Sequence, residues 1–302
     1  VYAWDLSVRS AHLDTTHGFF NGSSVFLEVV GQGESPCTVE IIRPDNDACK
    51  QWRLATTLSR ASSDEINFEF GLFTANNYEE LIDHPVEMGC FTQFDYISGG
   101  IRHDVVLTGK FQCDVDRLKN DLEKICAQQI NLFSETPPMT RYMFLVMVVG
   151  EGYGGLEHRE STSLLCSRNN LPQPGQIKLT EEYRSFLGLC SHEYFHSWNI
   201  KRIKPEVFTK PDLSTEVYTP LLWAFEGITS YYDDLALVRC GCITAKEYLE
   251  LIGQTITRVQ RGQGRLRQSA ATSSFNAWSK FYKQDENSVN AIVSYYAKGS
   301  LI

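Results

Sequence analysis

The sequence predicts an α+β protein, with a β-rich module over residues 1–108 and a second domain over 109–302 that opens with a small sheet and ends in helices. Three observations predict it. Short alternating runs broken by Gly, Pro, Asn and Asp fill the first third of the chain. Helical periodicity begins at Asp114. Capped helical segments dominate from about Thr180 onward.

The β-like runs are SSVFLEVVGQ, CTVEIIRP and EINFEFGLF. After Asp114, a plausible N-cap, the residues Val115, Leu118, Leu122, Ile125 and Cys126 follow helical spacing. YMFLVMVV at 142–149 reads as a buried strand, being far too short to span a bilayer. GEGYGGLEHRESTSLL then forms a glycine-rich turn leading into an edge strand. One helix is predicted over 182–199. Another starts at Thr219-Pro220, a cap followed by proline at the first helical position, and ends near Gly241. A third opens on the capping box T-A-K-E at 244–247 and stops before Gly262.

Composition narrows the function classes. The 302 residues are 42% hydrophobic and 22% charged, a globular balance. A net charge of −9 gives no basic patch for nucleic acid, and no segment reads as a membrane span. The first residue is Val1 and AKGSLI ends inside an apolar pattern, so the chain reads as an internal fragment. The nine cysteines are scattered and odd in number, which reads as reduced and favours a cytoplasmic setting, with a periplasmic one left open by the missing N-terminus. Asn21-Gly22-Ser23 fits a glycosylation sequon, as chance also allows.

The chemistry concentrates in SHEYFHSWNIKRIKP at 191–205. On a helix, His192 and His196 lie one turn apart on one face and can place two imidazole nitrogens on one metal ion. Glu193 sits beside the first ligand, where it can take a proton from a water without ligating the metal. The bland alternative is a helix carrying two ordinary histidines. Against it, the flanks Phe186, Leu187, Leu189, Tyr194, Phe195 and Trp198 are apolar, and buried imidazoles need polar partners.

A catalytic zinc needs a third protein ligand and an open position. WAFEGITSYYDDL offers Glu226, an acid in a mostly apolar run whose bland reading is a solvated helix charge. Asp233, two turns further along the same face, can accept the remaining N–H of a zinc histidine, with Asp234 as its competitor.

HEYFHSWNIKRIKP followed by LLWAFEGITSYYDDL resembles the glycyl aminopeptidase family of metallopeptidases, gluzincins related in their catalytic domain to thermolysin and to the large aminopeptidases. ANNYEELIDHPVEMG and YGGLEHRESTSLL are similar to the same family, so the resemblance runs over most of the chain. It implies a thermolysin-like zinc peptidase domain over 109–302, truncated at its C-terminal end, preceded by the later part of an N-terminal β domain. It also implies more helices and a PDZ domain beyond Ile302.

The resemblance assigns roles position by position. His192, His196 and Glu226 would bind Zn2+, with Glu193 as general base. Glu226 lies thirty positions after His196, a longer spacing than in the related aminopeptidases. G-G-L-E-H at 154–158 sits where those enzymes carry G-x-M-E-N, which makes Glu157 the anchor for a substrate's free α-amine and Gly155 a substrate-binding position. Without the family, Glu157 is equally an edge-strand charge that discourages aggregation. Y-A-K-G at 296–299 is similar to the segment whose tyrosine stabilises the oxyanion, which favours Tyr296, with Tyr295 as the neighbour in contention. Lys201, Arg202 and Lys204 read first as charges at a helix C-terminus.

The expectation is a zinc aminopeptidase acting on peptides with a free N-terminus and removing glycine or alanine. The alternatives are a zinc endopeptidase of the same fold and a metal-free peptide-binding relative.

Overall fold

The computed structural model describes residues 1–61, 68–133 and 136–302, grouped in two compact units. One comprises Val1–Glu123 and Glu135–Tyr194; the other comprises Lys124–Ser134 and Phe195–Ile302. The fold class is α+β as predicted, with a β-rich N-terminal region, small sheets and several helices.

The first unit holds three sheets. Strands β1 (Ala11–Leu13), β2 (His17–Phe20), β4 (Arg53–Ala55) and β7 (Val86–Gly89) form a four-stranded antiparallel sheet in the order β1-β2-β7-β4. Strands β3 (Cys37–Ile41), β5 (Ser59–Arg60) and β6 (Gly71–Ala75) form a second, after which α1 (Tyr78–Ile82) starts on an Asn77 cap. Trp52, Leu54, Leu58, Phe73 and Val86 fill a shared core.

The third sheet has the order β11-β12-β10-β9-β8, from β8 (Thr92–Ser98), β9 (Ile101–Gly109), β10 (Arg141–Val149), β11 (Tyr153–Glu157) and β12 (Ser161–Ser167). β10 is the apolar run seen in the sequence. It is parallel to both its neighbours and buried along nearly its whole length, as a strand covered on both faces must be. The parallel step from β9 to β10 requires a crossover, and helix α2 (Val115–Phe133) makes it. Arg117 N–H donates to Asp114 Oδ1 at 3.1 Å, so Asp114 is the predicted cap. Among the described residues β11 pairs only with β12, which makes it an edge strand.

Helix α3 (Glu181–Phe195) closes this unit. Thr180 caps it, its Oγ1 accepting from Tyr183 N–H at 3.1 Å. The second unit is helical: α4 (Ile228–Arg239), α5 (Ala245–Arg261), α6 (Ala270–Phe275), α7 (Ser288–Ala291) and α8 (Tyr295–Gly299), with π-helical segments at Trp223–Gly227 and Ala277–Phe281. The Thr244–Glu247 capping box is present at both of its bonds. Gly241 follows α4 at φ +77°, a left-handed position that stops the helix near its predicted end.

Four sequence readings need adjustment. The run SSVFLEVVGQ is not a strand: residues 22–24 form a 3₁₀ turn, and Leu27, Val29 and Val30 stand exposed. Alternation there had no partner strand to pack against. Of EINFEFGLF, residues 65–67 lie outside the described residues, and only its end enters β6. The zinc-motif helix ends at Phe195 rather than Asn199, because the chain turns sharply at Ile200, whose φ is +127°. The five-stranded sheet combines β8 and β9, which ends at Gly109, with three strands from further along, so it bridges the sequence boundary drawn at 108.

Asn21 is buried, and its side chain bonds Ser23 and His158, which leaves it no room as a glycan acceptor. All nine cysteines are free thiols. Among the described residues no helix is long and apolar enough to cross a membrane.

Candidate active site

Within the first unit, the edge strand β11 and the last turn of α3 bring one group of candidate residues together. Glu193 is 5% exposed, on a helix end anchored by aromatic side chains. The adjacent Tyr194 is fully buried; its hydroxyl bonds His103 Nε2 at 2.9 Å and its ring meets Tyr142 edge-on. His103 Nδ1 bonds the Ile101 carbonyl at 3.0 Å, so Nδ1 carries the proton and Nε2 accepts from the tyrosine. Burial pushes the His103 imidazole down to about 4, which keeps it a neutral acceptor.

Glu193 points at Gly155 in the middle of β11. A Cβ at position 155 would lie 2.1 Å from Glu193 Oε1 and 2.4 Å from its Cδ. Glycine at 155 is therefore the space that the carboxylate occupies. Glu157, at the end of β11 and half-buried, brings a carboxylate oxygen within 4.8 Å of Glu193. His158 is buried, its Nδ1 on the Leu156 carbonyl at 3.1 Å and its Nε2 on Asn21 Oδ1 at 2.9 Å. These bonds hold the end of the strand, so His158 is structural.

His192 lies in the last turn of α3, and the two compact units divide after Tyr194. The second unit resumes at Phe195, one residue before His196, which is 1% exposed. His196 Nδ1 donates to the Asn199 carbonyl at 2.9 Å, which fixes the tautomer and leaves Nε2 with its lone pair. That Nε2 lies 3.6 Å from Glu226 Oε2. Two ligand atoms on one tetrahedral zinc, each at ordinary Zn–N and Zn–O lengths, stand about 3.4 Å apart. The pair fits a zinc ion in both donor chemistry and separation.

Glu226 sits in the π-helical segment Trp223–Gly227, not in regular α-helix. Single π turns inside helices occur often at functional sites, and periodicity in the sequence does not reveal them. The segment is braced by α8. A Cβ on Gly227 would lie 2.6 Å from Gly299 Cα, and one on Gly299 would lie 2.4 Å from the Trp223 carbonyl oxygen. The glycines of W-A-F-E-G and Y-A-K-G thus meet backbone to backbone. Lys298 Nζ reaches the Gln268 carbonyl at 3.2 Å, tying α8 to the turn before α6.

Tyr296 is half-buried, with the Arg258 guanidinium 4.9 Å above its ring and Phe281 edge-on. Tyr295 is buried and its hydroxyl bonds Tyr282 at 2.9 Å. Burial, and then the charge of Glu226, push the Tyr295 phenol well above the usual range. Asp233 is half-buried on α4 and accepts the Asp234 N–H. The Nδ1 of His196 is taken by the Asn199 carbonyl, so that ring N–H is not the one an Asp233 carboxylate would accept. Asn199 and Arg258 were not singled out in the sequence. Asn199 carries no signal beyond its place just after the zinc-motif helix, and Arg258 none at all.

Residues 185–302 match the M61 glycyl aminopeptidase family, and residues 1–90 match the Peptidase M61 N-terminal domain. The chain is similar to the crystal structure of an aminopeptidase N family protein from Idiomarina loihiensis, with 50% identity and a TM-score of 0.96 over 100% of this chain. It spans 50% of that protein's length. No curated protein matches the chain.

Proposed function

The chain belongs to the M61 glycyl aminopeptidase family, and from that premise we propose that it is a zinc aminopeptidase that removes small N-terminal residues, glycine or alanine, from peptides. The observation that carries the reading is the 3.6 Å approach of His196 Nε2 to Glu226 Oε2, with His196 Nδ1 already committed to a carbonyl. His192, one helical turn before His196, completes a His-His-Glu ligand set. Zinc bound there supplies Lewis acidity toward the scissile carbonyl and an acidified water.

The side chains divide the remaining work. Glu157 receives the substrate's ammonium group, and the free edge of β11 pairs with the peptide backbone. Glu193, in its recess over Gly155, takes the proton from the attacking water and returns it to the leaving amine. The Tyr296 hydroxyl donates to the oxygen on which negative charge develops. Asp233 orients His192 by accepting its second ring N–H.

The test is zinc content measured beside hydrolysis of glycyl and alanyl amides. Wild type should hold one zinc per chain, and Glu226→Ala should lose it. Full zinc occupancy in Glu226→Ala would remove Glu226 from the ligand set.

A further inference from the structure

We infer that Asn199 is a positioning residue that locks two of the proposed zinc ligands, His196 and Glu226, into one rigid unit. The inference rests on the zinc reading above and adds to it the device that sets the ligand geometry.

Asn199 works through both its backbone and its side chain. Its carbonyl accepts from His196 Nδ1 at 2.9 Å. Its side-chain Nδ2 donates to the Phe225 carbonyl at 3.2 Å and to Thr229 Oγ1 at 3.1 Å, with the Ala224 carbonyl at 3.4 Å. The Thr229 hydroxyl in turn donates to the Phe225 carbonyl. Phe225 directly precedes Glu226 inside the π-helical segment, where the ordinary i→i+4 bonding is interrupted. The Phe225 carbonyl there accepts from both the Asn199 side chain and the Thr229 hydroxyl.

The backbone at this point is held under strain. Ile200, the next residue, has φ +127°, where a β-branched residue is an outlier. Strain of this kind persists only where the surroundings over-determine it. Asn199 is 8% exposed and Thr229 fully buried, so the network lies out of competition with water. Free of that turn, the helix would run on through Asn199, and its carbonyl would belong to the helix ladder rather than to His196.

The experiment compares wild type with Asn199→Ala and Thr229→Val, the second keeping side-chain shape while removing the hydroxyl. Zinc affinity is read by chelator competition, ligand geometry by the visible spectrum of the Co2+-substituted protein, and metal-free folding by thermal melting after chelation. The expected result is zinc binding weakened about 10–100-fold in Asn199→Ala and less in Thr229→Val, with an altered cobalt spectrum and metal-free melting near wild type. Zinc affinity and cobalt spectrum unchanged in the variants, with a lowered metal-free melting point, would make the network structural only and overturn the inference while the zinc reading stands. If Asn199→Ala does not fold, Thr229→Val decides by the same readouts. Failure of the wild type itself to bind zinc would overturn the zinc reading and the inference with it.

Discussion

The carboxylate of Glu193 occupies the place where a side chain on Gly155 would begin: a Cβ there would stand 2.1 Å from Oε1. Gly155→Ala should therefore push Glu193 out of position without touching the proposed ligands. A displaced catalytic group commonly costs about 10²-fold, and Glu193→Gln should cost about 10²–10⁴-fold, each with zinc retained. Steady-state kinetics and metal analysis check both. Near wild-type turnover in Gly155→Ala would mean that the recess does not set the position of the base.

The same steric reasoning applies where helices meet. Gly227 and Gly299 touch backbone to backbone, and neither side has a flexible chain end to yield. Gly227→Ala should destabilise by about 1–3 kcal/mol, the usual cost of overpacking, and shift Glu226, one residue away. Thermal melting should show the first effect and zinc titration the second. A variant that melts and binds metal like wild type would show that the π-helical segment can slide away from α8.

Two buried histidines set an acid limit on stability. Burial holds both His84 and His103 down to about 4 in the folded protein, against 6.5 for the free imidazole. Between those pH values the unfolded chain binds more protons than the folded one. Their contribution is therefore complete above pH 6.5 and is lost as pH falls toward 4, up to about 3 kcal/mol for each ring. Denaturant unfolding across this range should show the slope, and His103→Gln should reduce it by as much as one proton. An unchanged slope in that variant would show that His103 is not neutral in the fold.

The elements legible in the sequence were those whose signals are local. The capping box at Thr244, the Asp114 cap and the apolar run of β10 each declare themselves within a few residues, and each stands where it was read. The four-residue spacing of His192 and His196 is likewise a local signal. What escaped depends on distant contacts. The π-helical segment at Glu226 is contacted by Asn199 and Gly299 from elsewhere in the chain, which local periodicity does not record. The early end of α3 follows from a strained turn at Ile200 that no propensity encodes. SSVFLEVVGQ misled because alternation records only which side chains share a face, not whether another strand lies alongside.

The proposed function gives the adjacent tyrosines different work. Tyr295→Phe removes a buried hydroxyl bonded to Tyr282 at 2.9 Å, which should cost about 1 kcal/mol of stability. Tyr296→Phe should instead lower kcat by about 10²–10³-fold with little change in KM, since the hydroxyl in its proposed role acts on charge present only in the transition state. Melting and steady-state kinetics on both variants separate the two effects. If the catalytic defect appears in Tyr295→Phe and not in Tyr296→Phe, the roles are reversed.

Glu157 decides between trimming a peptide from its end and cutting it internally. Its carboxylate ends an edge strand within 4.8 Å of the Glu193 carboxylate. Two carboxyl groups so close offer several acceptor oxygens to a cation between or beside them, and a substrate's terminal ammonium is one. Glu157→Ala should therefore weaken hydrolysis of free-amine substrates, while zinc content stays at the wild-type level. Acetylating the substrate should cost the wild-type enzyme a similar factor, because it removes the other half of one charge-assisted hydrogen bond. In a double cycle of enzyme mutation against substrate capping, the two losses should not add, since both break a single interaction. Additive losses would place the ammonium elsewhere. Wild-type cleavage of capped and free peptides at equal rates would assign the chain to internal cleavage and leave Glu157 as a charge guarding the strand edge.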